Sequence, residues 1–195
     1  RSDMYHQYAP FFSELWHKIR NGESLTYSWN IGMGTNFTSL FAYYLASPSN
    51  WFVALFPQKY TIEIMNAFII LKIAGSSLSL TYYLTKHNNN KHVIAAIFGM
   101  FYGMSGFIAA YSWNIMWLDC VILIPLIMLG LERLVNENRC IFYCITLGLC
   151  IFTNYYIAIM VCLSVVIYYV VLMIAYNGIK SPMQYVKKFI NFCVY

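Results

Sequence analysis

The sequence predicts an all-α fold, a polytopic bundle of transmembrane helices that carries a loop of interfacial helices on one side. Three observations predict it. Of the 195 residues, 61% are hydrophobic and only 10% are charged, against about 25% charged in an ordinary soluble domain. The apolar residues come in long charge-poor runs, which need lipid around them rather than water. Residues 1–60 break that pattern. They are polar, rich in aromatics and punctuated by Gly and Pro, and they hold three of the seven acidic residues, Asp3, Glu14 and Glu23. The chain therefore reads as one membrane domain, with a loop over 1–60 and a helix bundle over 61–195.

The loop opens with a helical stripe. Met4, Tyr8, Phe11, Phe12, Leu15, Trp16 and Ile19 recur at three- and four-residue steps, and the opposite face holds Gln7, Glu14, Lys18 and Arg20. Asp3 stands where an N-cap stands, and Asn21-Gly22 ends the helix. Such a helix is expected to lie in the membrane interface. Asp3 and Gln7, four apart, share a face. Residues 22–50 have no period. Their aromatics, among them Trp29, Tyr43 and Tyr44, suit either a headgroup belt or stacking on the C–H face of a sugar ring. Asn30 and Asn36 lie among them, Asn36 in an N-x-Thr sequon. Residues 50–56, NWFVALF, read as a second short interfacial helix.

The bundle follows in runs at 61–85, 93–111, 113–131, 140–154 and 156–176, with another starting from 189. The first is long enough to cross with tilt. In the second, Ala95, Gly99 and Gly103 make a small-residue stripe for close helix packing. Residues 140–176 are free of charge over a length too great for one helix, so the run is split near Thr153-Asn154. The chain lacks an initial Met and a signal-peptide pattern, and ends within an apolar run, FINFCVY. It is read as truncated at both ends, with further helices expected beyond Arg1 and Tyr195. The six cysteines sit in apolar runs without a Cys-x-x-Cys pair and read as buried hydrophobes.

Basic residues give the orientation. Lys86, Lys91, Arg133, Arg139, Lys180, Lys187 and Lys188 fall in alternate loops, and the turns near 112 and 154 hold none. Those loops are expected in the cytoplasm and residues 1–60 outside. The net charge of +5 is scattered, which fits loop orientation and not nucleic-acid binding. Asp3, Glu63, Asp119, Asn154 and the aromatic loop then share one side. Within the spans, ionisable groups are costly and mark function or a pair. Lys72 either pairs with Asp119 or Glu63 to pin two helices, or holds a phosphate while a carboxylate handles a proton. No metal-ligand spacing, Ser-His-Asp set or phosphate loop is present.

Six blocks carry a resemblance: D-M-Y-H-Q-Y-A-P-F-F at 3–12, Y-S-W-N-I-G-M-G-T-N at 27–36, Y-Y-L-A-S-P-S-N at 43–50, W-N-I-M-W-L-D at 113–119, L-I-P-L-I-M-L-G-L-E-R-L at 123–134 and T-N-Y-Y-I-A-I-M at 153–160. Together they resemble the YfhO family of bacterial multi-pass membrane proteins, which is similar to the type C glycosyltransferases. The resemblance implies transfer of a sugar from a polyprenyl-phosphate donor to a cell-envelope glycopolymer such as lipoteichoic acid. It places the catalytic carboxylate of the first extracytoplasmic loop at Asp3. The expected substrate-binding residues are Gln7, Tyr8, Trp29, Asn30, Asn36, Tyr43, Tyr44, Lys72, Trp113, Asp119, Asn154 and Tyr155. No cofactor is assigned. Without an Asp-x-Asp pair, a divalent metal stays an open alternative. Membrane lipids, the lipid-linked donor and the glycopolymer are the expected partners. A transporter or flippase of lipid-linked sugar, and a non-catalytic scaffold, are the competing readings.

Overall fold

The structure, a computed structural model, describes residues 3–88, 92–175, 188 and 190–194. Lys91, Lys180, Lys187 and the expected helix start at 189 lie outside the described residues. A π-helical turn at Met4–Tyr8 leads into α1 (Ala9–Asn21). α1 stops at Gly22, whose left-handed backbone (φ 66°) lets its N–H reach the Lys18 carbonyl. A Cβ would oppose that conformation. A two-residue hairpin pairs β1 (Tyr27–Ser28) with β2 (Thr35–Asn36). A short α2 (Phe37–Leu40), a second π turn (Phe41–Leu45) and two 3₁₀ turns (Pro48–Leu55, Gln58–Tyr60) complete the loop.

The bundle is α3 (Thr61–His87), α4 (His92–Gly103), α5 (Gly106–Tyr111), α6 (Ile115–Glu137), α7 (Ile141–Thr153) and α8 (Tyr155–Ala175). Among the described residues, four segments are long and apolar enough to cross a bilayer: Gln58–His87, His92–Tyr111, Ile115–Glu137 and Tyr155–Ala175. At 13 residues, α7 spans only about 20 Å, short of the roughly 30 Å hydrocarbon core.

Two cores hold the molecule together. Phe12, Leu15, Phe37, Leu45 and Val53 from the loop pack on Ile64 and Met65 of α3 and on Ile115 and Met116 of α6. The loop is thus a packed cap on one end of the bundle. Leu131, Tyr143, Val161 and Val165, with their neighbours, lock α6, α7 and α8 together.

Two expectations for the loop need correction. Asp3 is not an N-cap. It has helical dihedrals (φ −64°, ψ −35°) and makes no capping bond, because an N-cap side chain reaches the amides ahead of it only from an extended backbone. Nor do Glu14 and Lys18 lie on an open polar face. They are 7% and 3% exposed, because the segment after α1 folds back over them and supplies polar partners.

In the bundle, sequence and geometry explain each other at two places. Ala95, Gly99 and Gly103 are buried on α4, where they meet α3. A Cβ on Gly99 would come within 2.0 Å of Thr81 Oγ1 and 2.6 Å of the Ser77 carbonyl oxygen. A rotamer change moves the first obstacle but not the second. Gly99→Leu is therefore expected to destabilise the protein by about 1–3 kcal/mol, read as a lower thermal midpoint in detergent. A midpoint equal to that of the parent protein would refute the packing argument. Pro125 sits inside α6 and has no N–H for the Val121 carbonyl. Tyr102 of α4 donates its hydroxyl to that carbonyl at 2.8 Å, so the orphan acceptor is satisfied from the neighbouring helix.

Candidate functional site

The π turns at Met4–Tyr8 and Phe41–Leu45 meet at the loop end of the bundle. A π turn widens a helix by one residue and is common at functional sites. Gln7, from the first, donates its Nε2 to the Tyr44 hydroxyl in the second, at 3.0 Å. The Tyr8 ring lies 5.6 Å from the Tyr44 ring and stacks on Trp113 at 6.1 Å and 14°. Its hydroxyl donates to Asn114 Oδ1 at 2.6 Å. Tyr43 meets Tyr44 edge-on at 4.6 Å and Tyr155 at 5.8 Å. Behind them Trp117 stacks on Tyr156. The result is a cluster of aromatic rings tied together by hydroxyl and amide hydrogen bonds, termed the bowl below.

Burial raises the Tyr8 hydroxyl pKa well above its ordinary value, with contributions from Tyr44, then Asp3, then Tyr43. Tyr8 therefore remains a hydrogen-bond donor at neutral pH. Asp3, exposed, stands four residues before Gln7 at the start of the same π-helical turn, at the edge of this cluster. Burial raises the Tyr43 hydroxyl as well.

Next to the bowl lies the buried ion pair. Lys72 Nζ is 2.6 Å from Asp119 Oδ2, and the two side chains are 5% and 14% exposed. The same ammonium lies 3.2 Å from the Ile115 carbonyl oxygen and 3.5 Å from Ser47 Oγ. An ammonium has three N–H donors, and these three oxygens account for them. In this arrangement Lys72 clamps α3 to the start of α6 and to the loop, with no donor left for a phosphate. Glu63 is exposed and lies outside the pair.

Asn154, fully buried, interrupts the charge-free stretch between α7 and α8. Its Oδ1 accepts from the Ile157 amide at 3.0 Å, which caps α8. Its Nδ2 donates to the Tyr43 carbonyl at 3.0 Å, which ties the helix break to the bowl.

Gln7, Tyr8, Tyr43, Tyr44, Trp113, Asn154 and Tyr155 are thus brought together, with Asp3 and the Lys72–Asp119 pair beside them. Trp29, Asn30 and Asn36 enter other contacts. Asn36 caps α2 by accepting from the Thr38 amide at 3.0 Å. Asn30 binds Glu14. Trp29, 76% exposed, leans edge-on against Tyr27.

Sequence reasoning missed Asn114, Trp117 and Tyr156, and it missed a polar centre at the other end of the bundle. There Glu132, 8% exposed, accepts from the Tyr83 and Tyr168 hydroxyls and lies 3.1 Å from His87 Nδ1. The available signal was a single acidic residue at the end of an apolar run. The run ending at Leu131 leaves Glu132 in the loop that holds Arg133, but α6 continues through Glu137. Among the described residues, no group of three His, Cys, Asp or Glu side chains is placed to hold a metal ion.

No curated protein and no solved structure matches the chain. A family model described as "Bacterial membrane protein YfhO" matches residues 1–195. That match covers every element of the bundle and the cap, and the chain belongs to the YfhO family of bacterial membrane proteins.

Proposed function

We propose that the protein is an inverting membrane glycosyltransferase. It moves a sugar from a polyprenyl-phosphate donor to a hydroxyl of a cell-envelope polymer such as lipoteichoic acid, on the outer face of the membrane. One observation carries the reading. An exposed carboxylate, Asp3, leads into the turn whose Gln7 and Tyr8 join a cluster of aromatic, hydroxyl and amide groups at the end of an apolar helix bundle. A lipid donor explains why such a bowl would sit at a membrane face. Flat aromatic faces suit a pyranose, and Gln7 and Tyr44 offer hydrogen bonds to its hydroxyls.

The reaction needs one base. The acceptor oxygen attacks the anomeric carbon and forms the new glycosidic bond. The bond from that carbon to the phosphate oxygen breaks, and polyprenyl phosphate leaves. The acceptor's proton passes to Asp3. No second carboxylic acid is needed, because the departing phosphate is already a stable anion.

A transporter would be favoured by a broken helix near the middle of the membrane. Here the break at Asn154 bonds to Tyr43 of the loop and so lies at the capped end.

The direct test in cells is the polymer itself. Lipoteichoic acid from cells expressing the full-length protein should carry a hexose that is absent from cells lacking it, as read by NMR of the purified polymer. Identical spectra would remove this acceptor. The orientation has its own test. A Cys at Asn21 should react with an impermeant maleimide in intact cells, and a Cys at Glu137 should not, each against the parent chain. The reverse pattern would place Asp3 on the wrong side for an envelope acceptor.

A further inference from the structure

A cleft of about 480 Å³ opens on the loop, between α1, the β1–β2 turn and the 3₁₀ turn at Gln58. Its volume is in the usual range for small-molecule sites. Nothing in the reaction above uses it. Phe11, Ser13, Glu14, His17, Asn30 and Gln58 contribute to its walls.

The polar groups are held in place. Ser28 donates its hydroxyl to Glu14 Oε1 at 2.6 Å, and Asn30 Nδ2 donates to Oε2 at 3.1 Å. A carboxylate has about four acceptor positions, so Glu14 keeps capacity for a further donor. Gln58 Nε2 donates to Ser13 Oγ at 2.6 Å, which fixes a hydroxyl and an amide on the same wall. The ring of Phe11, one turn before Glu14 on α1, also lines the cleft. Hydroxyl, amide and carboxylate groups together with an aromatic ring in one cleft suit a ligand with many hydroxyls and a C–H face.

Charge narrows the class. Lys18, which lies beside the cleft's Glu14, is 3% exposed. It donates to the Ser24 and Tyr27 carbonyls at 3.0 and 2.9 Å and lies 3.7 Å from both Glu14 and Glu23. His17 is held at Glu23, 3.1 Å away. Among the described residues, no Lys or Arg lines the cleft, and its buried carboxylate disfavours phosphate.

The cleft also adjoins the bowl. Phe11 lines the cleft and lies 5.1 Å from the Tyr44 ring. Asp3, Gln7, Phe11 and Glu14 follow one another at steps of four, four and three, which places them along one helix face. From Asp3 to Glu14 that face rises about 16 Å.

We propose that this cleft binds a neutral polyhydroxylated unit, a hexose or polyol. If the transferase reading holds, it seats the hydroxyl-bearing part of the acceptor along α1 next to Asp3. The test is saturation-transfer NMR on the full-length protein in lipid nanodiscs. The probes are a methyl hexoside, glycerol and glycerol 3-phosphate. The two neutral probes should receive saturation, and the phosphate should receive less. Ser13→Trp, which fills the cleft, and Gln58→Leu should each weaken binding by about tenfold or more, the usual effect of losing such contacts. Both leave the buried Glu14–Lys18 pair intact. Absence of saturation in the parent protein overturns the proposal. So does unchanged binding in both variants, or a preference for glycerol 3-phosphate. Sugar binding in the cleft without any transfer by the parent protein would sink the transferase reading and leave this site standing. Transfer without cleft binding would do the opposite.

Discussion

Asp3→Asn is expected to leave a folded, membrane-inserted protein whose sugar transfer falls by about a hundredfold or more. The fold should tolerate the change because Asp3 is exposed and makes no capping bond. Its loss therefore leaves no buried group unpaired. The chemistry should not tolerate it. An amide cannot take the acceptor's proton near neutral pH, while its size and helical geometry match those of the carboxylate. The measurement is the initial rate of transfer at matched protein levels, alongside the thermal midpoint. A variant that transfers at near the parent rate would move the base elsewhere. Glu63 and Asp119 are the next carboxylates in line. Asp119 is already held by Lys72 at 2.6 Å, so Glu63 would be examined first.

The second large effect concerns stability. Lys72→Met is expected to destabilise the protein by about 3–5 kcal/mol, because it strands the Asp119 carboxylate in a largely buried site. Asp119→Leu should do the same by stranding the ammonium. The double variant should recover most of the loss, since two apolar side chains of similar volume often replace a buried ion pair at little cost. Unfolding midpoints of the four proteins in one detergent give the coupling directly. Additive losses in the double variant would mean that the two charges do not depend on each other, contrary to the geometry.

The helix bundle was legible because lipid imposes a simple rule. A crossing helix must be long, apolar and nearly free of charge, and α3, α6 and α8 announce themselves that way. The same rule made Lys72 and Asp119 conspicuous, and it offered the pairing that the structure displays. The aromatic residues of the loop were legible as a set but not as a bowl. Tyr8 and Asn114 are 106 residues apart, and nothing in either local sequence announces the other. π turns have no local signature, so the meeting of Gln7 with Tyr44 was out of reach.

Two errors share one cause. A helical wheel assumes a single buried face. Glu14 and Lys18 were placed toward solvent because Phe12 and Leu15 claimed the core, but the hairpin covers the second face. Glu132 was placed in a loop because its charge ended the apolar run. Yet hydroxyls from Tyr83 and Tyr168 make a helical, buried carboxylate affordable. In both cases the partners come from distant segments, which periodicity cannot see.

The most direct test of the central claim uses sealed proteoliposomes containing the full-length protein. They are loaded with a polyprenyl-phosphate hexose labelled in the sugar and presented with lipoteichoic acid on the side that residues 1–60 face. The account predicts label covalently attached to the polymer, release of polyprenyl phosphate in equal amount, and neither product with Asp3→Asn. Labelled lipid that crosses the bilayer intact, with no label on the polymer, would contradict it and identify a transporter.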